Sequence, residues 1–152
     1  MKRFITKDFV VIAPQEWRGD NDLEDDSDSN LRLKRDNPEI SLEIYYSGPY
    51  DNTNLDASIE GFKFGLNMLD HIVLSEGFIN LVGFEGYRIN SISSNPSEYS
   101  KTYQEGANII FMKNKYNCIL KFYSNVKSTE ETNIYDIEDD ISFICNNFQT
   151  RS

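Results

Sequence analysis

Few side chains in this chain could carry reactive chemistry, and their placement is informative. His71 is the sole histidine, so a nucleophile, base and acid arrangement would have to pass through it. Cys118 and Cys145 stand far apart with no CxxC spacing. Together with His71 they make three ligands, one short of a zinc site built from Cys and His. Carboxylates are plentiful instead. Asp20, Asp22, Glu24, Asp25, Asp26 and Asp28 crowd one segment and begin like a calcium loop, Asp20-x-Asp22-x-Glu24. Such a loop needs glycine at its sixth position and a carboxylate at its twelfth. Here those positions are Asp25 and Leu31. A solvated loop or a partner-facing acidic surface is the expectation, with no metal and no cofactor. Asp70, His71 and Glu76 form the one local set on which acid–base chemistry could be placed.

Composition narrows the function classes further. The chain has 152 residues, a length that suits one domain (1–152) with a sizeable core. The formal net charge is −10, from 15 basic and 25 acidic residues, which argues against phosphate-bearing partners such as nucleic acid or an anionic membrane. The charge is localised. Six acids and no base lie in residues 20–30, and six acids and no base lie in 130–140. The second group falls at the start of an expected helix, where the dipole favours it. The N-terminal basic residues lead into Asp8 and the short run Phe9 to Ala13, too short for a signal peptide. A cytoplasmic location is the expectation, with both cysteines reduced and packed as small core residues.

The elements that must hold these residues can be read from periodicity. Phe9 to Ala13 is a short β-type run, followed by Pro14 and Trp17, a core plug. Residues 19–30 form the acidic loop. Leu31 and Leu33, then Leu42, Ile44 and Tyr46, alternate with polar neighbours at strand spacing. Asn54 and its neighbours supply an N-cap for a helix over 55–71, whose stripe is Leu55, Ile59, Phe62, Leu66, Leu69 and Val73. His71 then ends this helix and complements its dipole. Gly61 and Gly65 stand one turn apart within it. Close helix-on-sheet contact is the first expectation for them, and a groove accepting a partner helix the second. Strands follow near 72–81, 86–94, 106–113 and 116–124. Ile109 to Met112 is apolar on both faces, as in a central covered strand. Ser128 to Glu131 has capping-box spacing for a final helix carrying Ile134, Ile137, Ile141, Ile144 or Cys145, and Phe148; Asn133 is an alternative cap. The fold class is therefore α+β, an antiparallel sheet flanked by two helices in the order β-β-β-α-β-β-β-β-α.

Certain segments add a family likeness. The opening Phe9-Val-Val-Ile-Ala-Pro14-Gln-Glu-Trp17, the long helix after the third strand, the Gly83-Phe-Glu-Gly86-Tyr-Arg88 turn, and the Ile109 to Phe122 hairpin before a helix with Ser142-Phe143 resemble the PsbP-like superfamily. That group includes DcrB-like proteins and Eag-type effector chaperones. The resemblance implies the PsbP-like fold and binding surfaces, with no shared catalytic residue. The tyrosines fit such a role, because Tyr covers area with few rotors and keeps a polar tip. Tyr45, Tyr46 and Tyr50 cluster in sequence, as do Tyr99 and Tyr103. The expected function is a non-enzymatic cytoplasmic protein-binding domain that partners a bacterial secreted toxin or effector, as an immunity protein or a chaperone. Its expected contacts are Asp20, Asp22, Glu24, Asp25, Asp26, Asp28, Tyr45, Tyr50, Tyr99 and Tyr103, facing a basic partner that the acidic charge would steer. The alternative is a small-molecule-binding or enzymatic domain with an aromatic-lined pocket near Asp70, His71 and Glu76. A third reading is self-association, as a small homo-oligomer in place of a monomer, through the Ile109 to Phe122 hairpin or an exposed edge.

Overall fold

The computed structural model describes residues 1–20, 31–52 and 54–151. Asp22, Glu24, Asp25, Asp26 and Asp28 lie outside the described residues. Five strands precede the first helix: β1 (Lys2–Ile5), β2 (Phe9–Ala13), β3 (Arg18–Gly19), β4 (Leu31–Arg35) and β5 (Ile40–Ser47). Helix α1 (Leu55–Met68) leads into β6 (His71–Leu81), β7 (Phe84–Ser93), β8 (Tyr103–Lys113) and β9 (Tyr116–Val126). A 3-10 turn at Ile134–Ile137 then enters α2 (Glu138–Asn146), and β10 (Gln149–Thr150) follows.

Two antiparallel sheets result. One has the order β3-β4-β5-β9-β8-β7-β6, and a small one has β1-β2-β10. The register of the large sheet follows from its apolar alternation. Leu42 pairs with Phe122, Ile44 with Leu120 and Tyr46 with Cys118, while Ile109 pairs with Leu120 and Phe111 with Cys118. These paired residues therefore fall on one face, called inner here. The small sheet and α2 cover that face, burying Phe9, Val11, Trp17, Ile141, Ile144 and Phe148 against it. The opposite, outer face carries α1, which packs over β6 and β8. There Ile59 and Leu66 meet Ile89 and Ile110 in a second, smaller core. Strand β8 lies between both cores, and its Ile109, Ile110 and Phe111 are at most 1% exposed, as a central strand requires. Both cysteines are free and buried. Among the described residues, no helix is long and apolar enough to cross a membrane.

The α+β class and its layers match the sequence expectation, with β1, β3 and β10 as additional short strands. Trp17 is fully buried, and its Nε1 donates to Asp140 Oδ2 at 2.9 Å. The same carboxylate oxygen lies 2.6 Å from Arg35 Nη1, and Glu138 makes a two-pronged pair with Arg88 at 2.6 Å. Part of the second acidic group is thus paired with arginines of the large sheet. Asn54 caps α1, accepting from Asp56 N at 2.9 Å and Ala57 N at 3.4 Å.

Two helix boundaries differ from expectation. Helix α1 stops at Met68, because Asp70 takes a left-handed conformation, φ 56°. His71 therefore opens β6 and plays no helix-dipole role. Burial and then the nearby Lys121 charge lower its pKa, with Asp70 opposing. The Ser128 to Glu131 capping box does not form. The Glu131 side chain accepts from Lys127 N at 3.2 Å, and Asn133 Nδ2 donates to Ser124 Oγ at 2.8 Å instead of capping. The buried Glu105 carboxylate takes the backbone N–H groups of Asn133 and Ile134 and so anchors the 3-10 turn that leads into α2.

Candidate functional site

Among the described residues, α1 covers only part of the outer face. Beside it, between α1 and β9, lies an open groove of about 420 Å³. Ser58, Gly61, Phe62, Gly65 and Leu69 line it from the helix, and Asn117, Ile119 and Lys121 from the sheet. A Cβ placed at Gly61 or Gly65 meets nothing within 4 Å. The expected close helix-on-sheet contact at these glycines is therefore wrong. The reason is rotational: Ile59 and Leu66 turn the helix's apolar stripe onto Ile89 and Ile110, which leaves the glycines over the groove. Helix α1 also exposes Phe64 (66%) and Met68 (68%), and its C-cap Leu69 is 67% exposed.

Beyond the groove, β4, β5 and β9 bring a polar cluster to the same face. Glu43 is 9% exposed, because alternation along β5 turns its side chain away from the inner core, between Lys121 on β9 and Arg32 on β4. The Tyr45 hydroxyl donates to its Oε2 at 2.6 Å and the Tyr123 hydroxyl to its Oε1 at 3.0 Å. Arg32 Nη2 stands 3.3 Å from Oε1. Burial and then the Glu43 carboxylate push the Tyr123 hydroxyl up to about 12, and Tyr45 shifts the same way. Both phenols therefore stay protonated donors at neutral pH. Burial lowers the pKa of Lys121, with Glu43 opposing, and its ammonium lies 5.5 Å from the Tyr123 ring centre. The Glu43 carboxylate is thus held by Arg32 and two phenols, and Lys121 connects this cluster to the groove's lining. Among the described residues, no group of three or more His, Cys, Asp or Glu side chains is placed to hold a metal ion.

The expected contact residues are dispersed. Tyr45 belongs to the cluster just described. Tyr50 lies at the end of the sheet near the β8–β9 turn, with its N–H donating to Lys115 O at 2.9 Å. Tyr99, 97% exposed, sits in the loop before β8, and Tyr103 begins that strand, at the sheet's other end. Asp20 follows β3, and its backbone N–H donates to Arg32 O at 3.1 Å. Asp70, His71 and Glu76 do not line the groove. Glu76 is taken up by Lys63 Nζ at 3.0 Å and the Tyr87 hydroxyl at 2.6 Å. Sequence reasoning missed Glu43, Arg32, Lys121 and Tyr123. Their signal was present as charged or phenolic residues at alternate positions of strands whose other face is apolar.

No family model and no curated protein matches the sequence. Among solved structures, the chain is similar to the solution structure of cyanobacterial PsbP (CyanoP) from Synechocystis sp. PCC 6803. The TM-score is 0.65 at 9% identity, covering 99% of this chain and 92% of that one. The likeness shows the fold alone, and this fold is PsbP-like.

Proposed function

We propose that the chain is a non-enzymatic, cytoplasmic protein-binding domain that partners a bacterial secreted toxin or effector, acting as its chaperone through the groove beside α1. The observation that supports this reading is the glycine pair. Each glycine costs a helix roughly 1 kcal/mol relative to alanine, and neither Gly61 nor Gly65 is repaid by contact within the chain. Small residues along a groove allow close approach by an apolar helical segment of another protein. Leu69, 67% exposed, adds an apolar side chain to the groove's lining. In the enzymatic alternative, Glu76 is already engaged by Lys63 and Tyr87. Only Phe62 among the groove's lining residues is aromatic.

The acidic segment favours a second reading, immunity by docking to a basic toxin. Its six carboxylates would speed association by steering. Co-expression with the product of the neighbouring gene separates the two. On the chaperone reading, Gly65→Leu abolishes co-purification while the free protein stays folded. On the immunity reading, neutralising Asp22, Glu24, Asp25 and Asp26 lowers the association rate and its salt dependence. A partner that binds both variants as it binds the parent sinks both readings.

A further inference from the structure

The seven-stranded sheet ends in two unlike edges. Strand β3 closes one with two residues, next to the acidic segment, and short charged edges resist pairing. Strand β6 closes the other with eleven residues. It is apolar as well as long: Ile72, Leu74 and Phe78 are 50–57% exposed. An edge of this kind templates another strand. The register shift between Val73 and Ser75 disturbs its first part and leaves Ser75 to Leu81 as the regular stretch. Glu76 is the one ionisable side chain there, and Lys63 and Tyr87 already engage it. Ser75 to Leu81 thus holds no carboxylate other than Glu76 to repel a like strand.

The geometry points to a second copy of this chain as the occupant, with two β6 edges pairing antiparallel about a twofold axis at Phe78. Phe78 is the midpoint of Ser75 to Leu81, so this register pairs the whole regular stretch. It sets Glu76 opposite Asn80 of the other copy, away from its own counterpart, and brings the two Phe78 rings together on the outer face. Such an isologous contact closes on itself, and β3 at the far edge offers no continuation. Two seven-stranded sheets become one, with both α1 helices on the same side. This pairing does not depend on the groove's function.

Sedimentation of the full chain gives a dimer mass. Phe78→Lys, at a side chain more than half exposed, raises the dimer dissociation constant about ten-fold or more through opposed like charges, with an unchanged circular dichroism spectrum. Directly opposed residues have Cα atoms roughly 4.5–5.5 Å apart, within disulfide range. Phe78→Cys therefore cross-links under oxidation, while Ile5→Cys, at an equally exposed site on β1, does not. A monomeric mass at the highest soluble concentration overturns the pairing and leaves the edge to a strand of a different protein. A dimer in which Phe78→Cys fails to cross-link overturns it too.

Discussion

On the inner face of the seven-stranded sheet, Leu42, Ile44, Leu120 and Phe122 are fully covered. One residue along the same strands, Tyr45, Ile119 and Lys121 turn to the outer face and keep part of their surface in water. The inner face is filled from both ends of the chain, by β1, β2, β10 and α2. Among the described residues, the outer face receives one helix, which covers part of it. Both faces use the same strands, so the difference lies in what is laid over them. Filling is what stability requires. An open groove floored by Asn117, Ile119 and Lys121 is what a binding surface requires, and the glycines of α1 keep it open at the helix's expense.

The largest expected contrast comes from the inner face. Phe122→Ala, which removes a fully buried ring packed against Trp17, lowers unfolding free energy by about 3–5 kcal/mol in urea titration. A loss no larger than that of an outer-face truncation would dissolve the distinction. An intermediate effect is expected at the cluster. Glu43→Ala leaves Arg32 without its carboxylate and two phenols without an acceptor, and costs about 2 kcal/mol. The smallest change has the opposite sign. Gly65→Ala stabilises the chain by about 1 kcal/mol, since the new methyl group meets no neighbour. A destabilised Gly65→Ala in the same titration would show that the groove is closed in solution.

How much of this could be read beforehand depended on range. Apolar alternation in β5, β8 and β9 was legible, because a period of two is local and both faces of Ile109 to Met112 announce a central strand. Asn54 was legible for the same reason. The end of α1 was not, because Leu69 and Val73 continue the helical spacing while Asp70 turns the chain into β6. The Ser128 to Glu131 pattern has the letters of a capping box, but Glu105, more than twenty positions earlier, supplies the acceptor that organises the turn. Gly61 and Gly65 were visible as unusual. Their orientation depended on which side of the stripe met Ile89 and Ile110, a tertiary matter. Glu43 and Tyr123 are 80 positions apart and meet only once β5 and β9 pair in register. Strands of two residues, such as β3 and β10, are too short to show a period.

The small sheet carries a consequence for how the molecule comes into being. Thr150 pairs with Phe9, Arg151 N donates to Asp8 O at 2.8 Å, and the Phe148 ring stacks on Phe9 and meets Phe111 edge-on. The inner core therefore cannot close until residues 148–151 have left the ribosome. Until then, β2 and the inner face of the large sheet wait with their apolar side chains uncovered. Contacts of such long sequence separation make folding slow, and the nascent chain passes through an interval of exposure to chaperones and proteases that a locally connected fold would avoid.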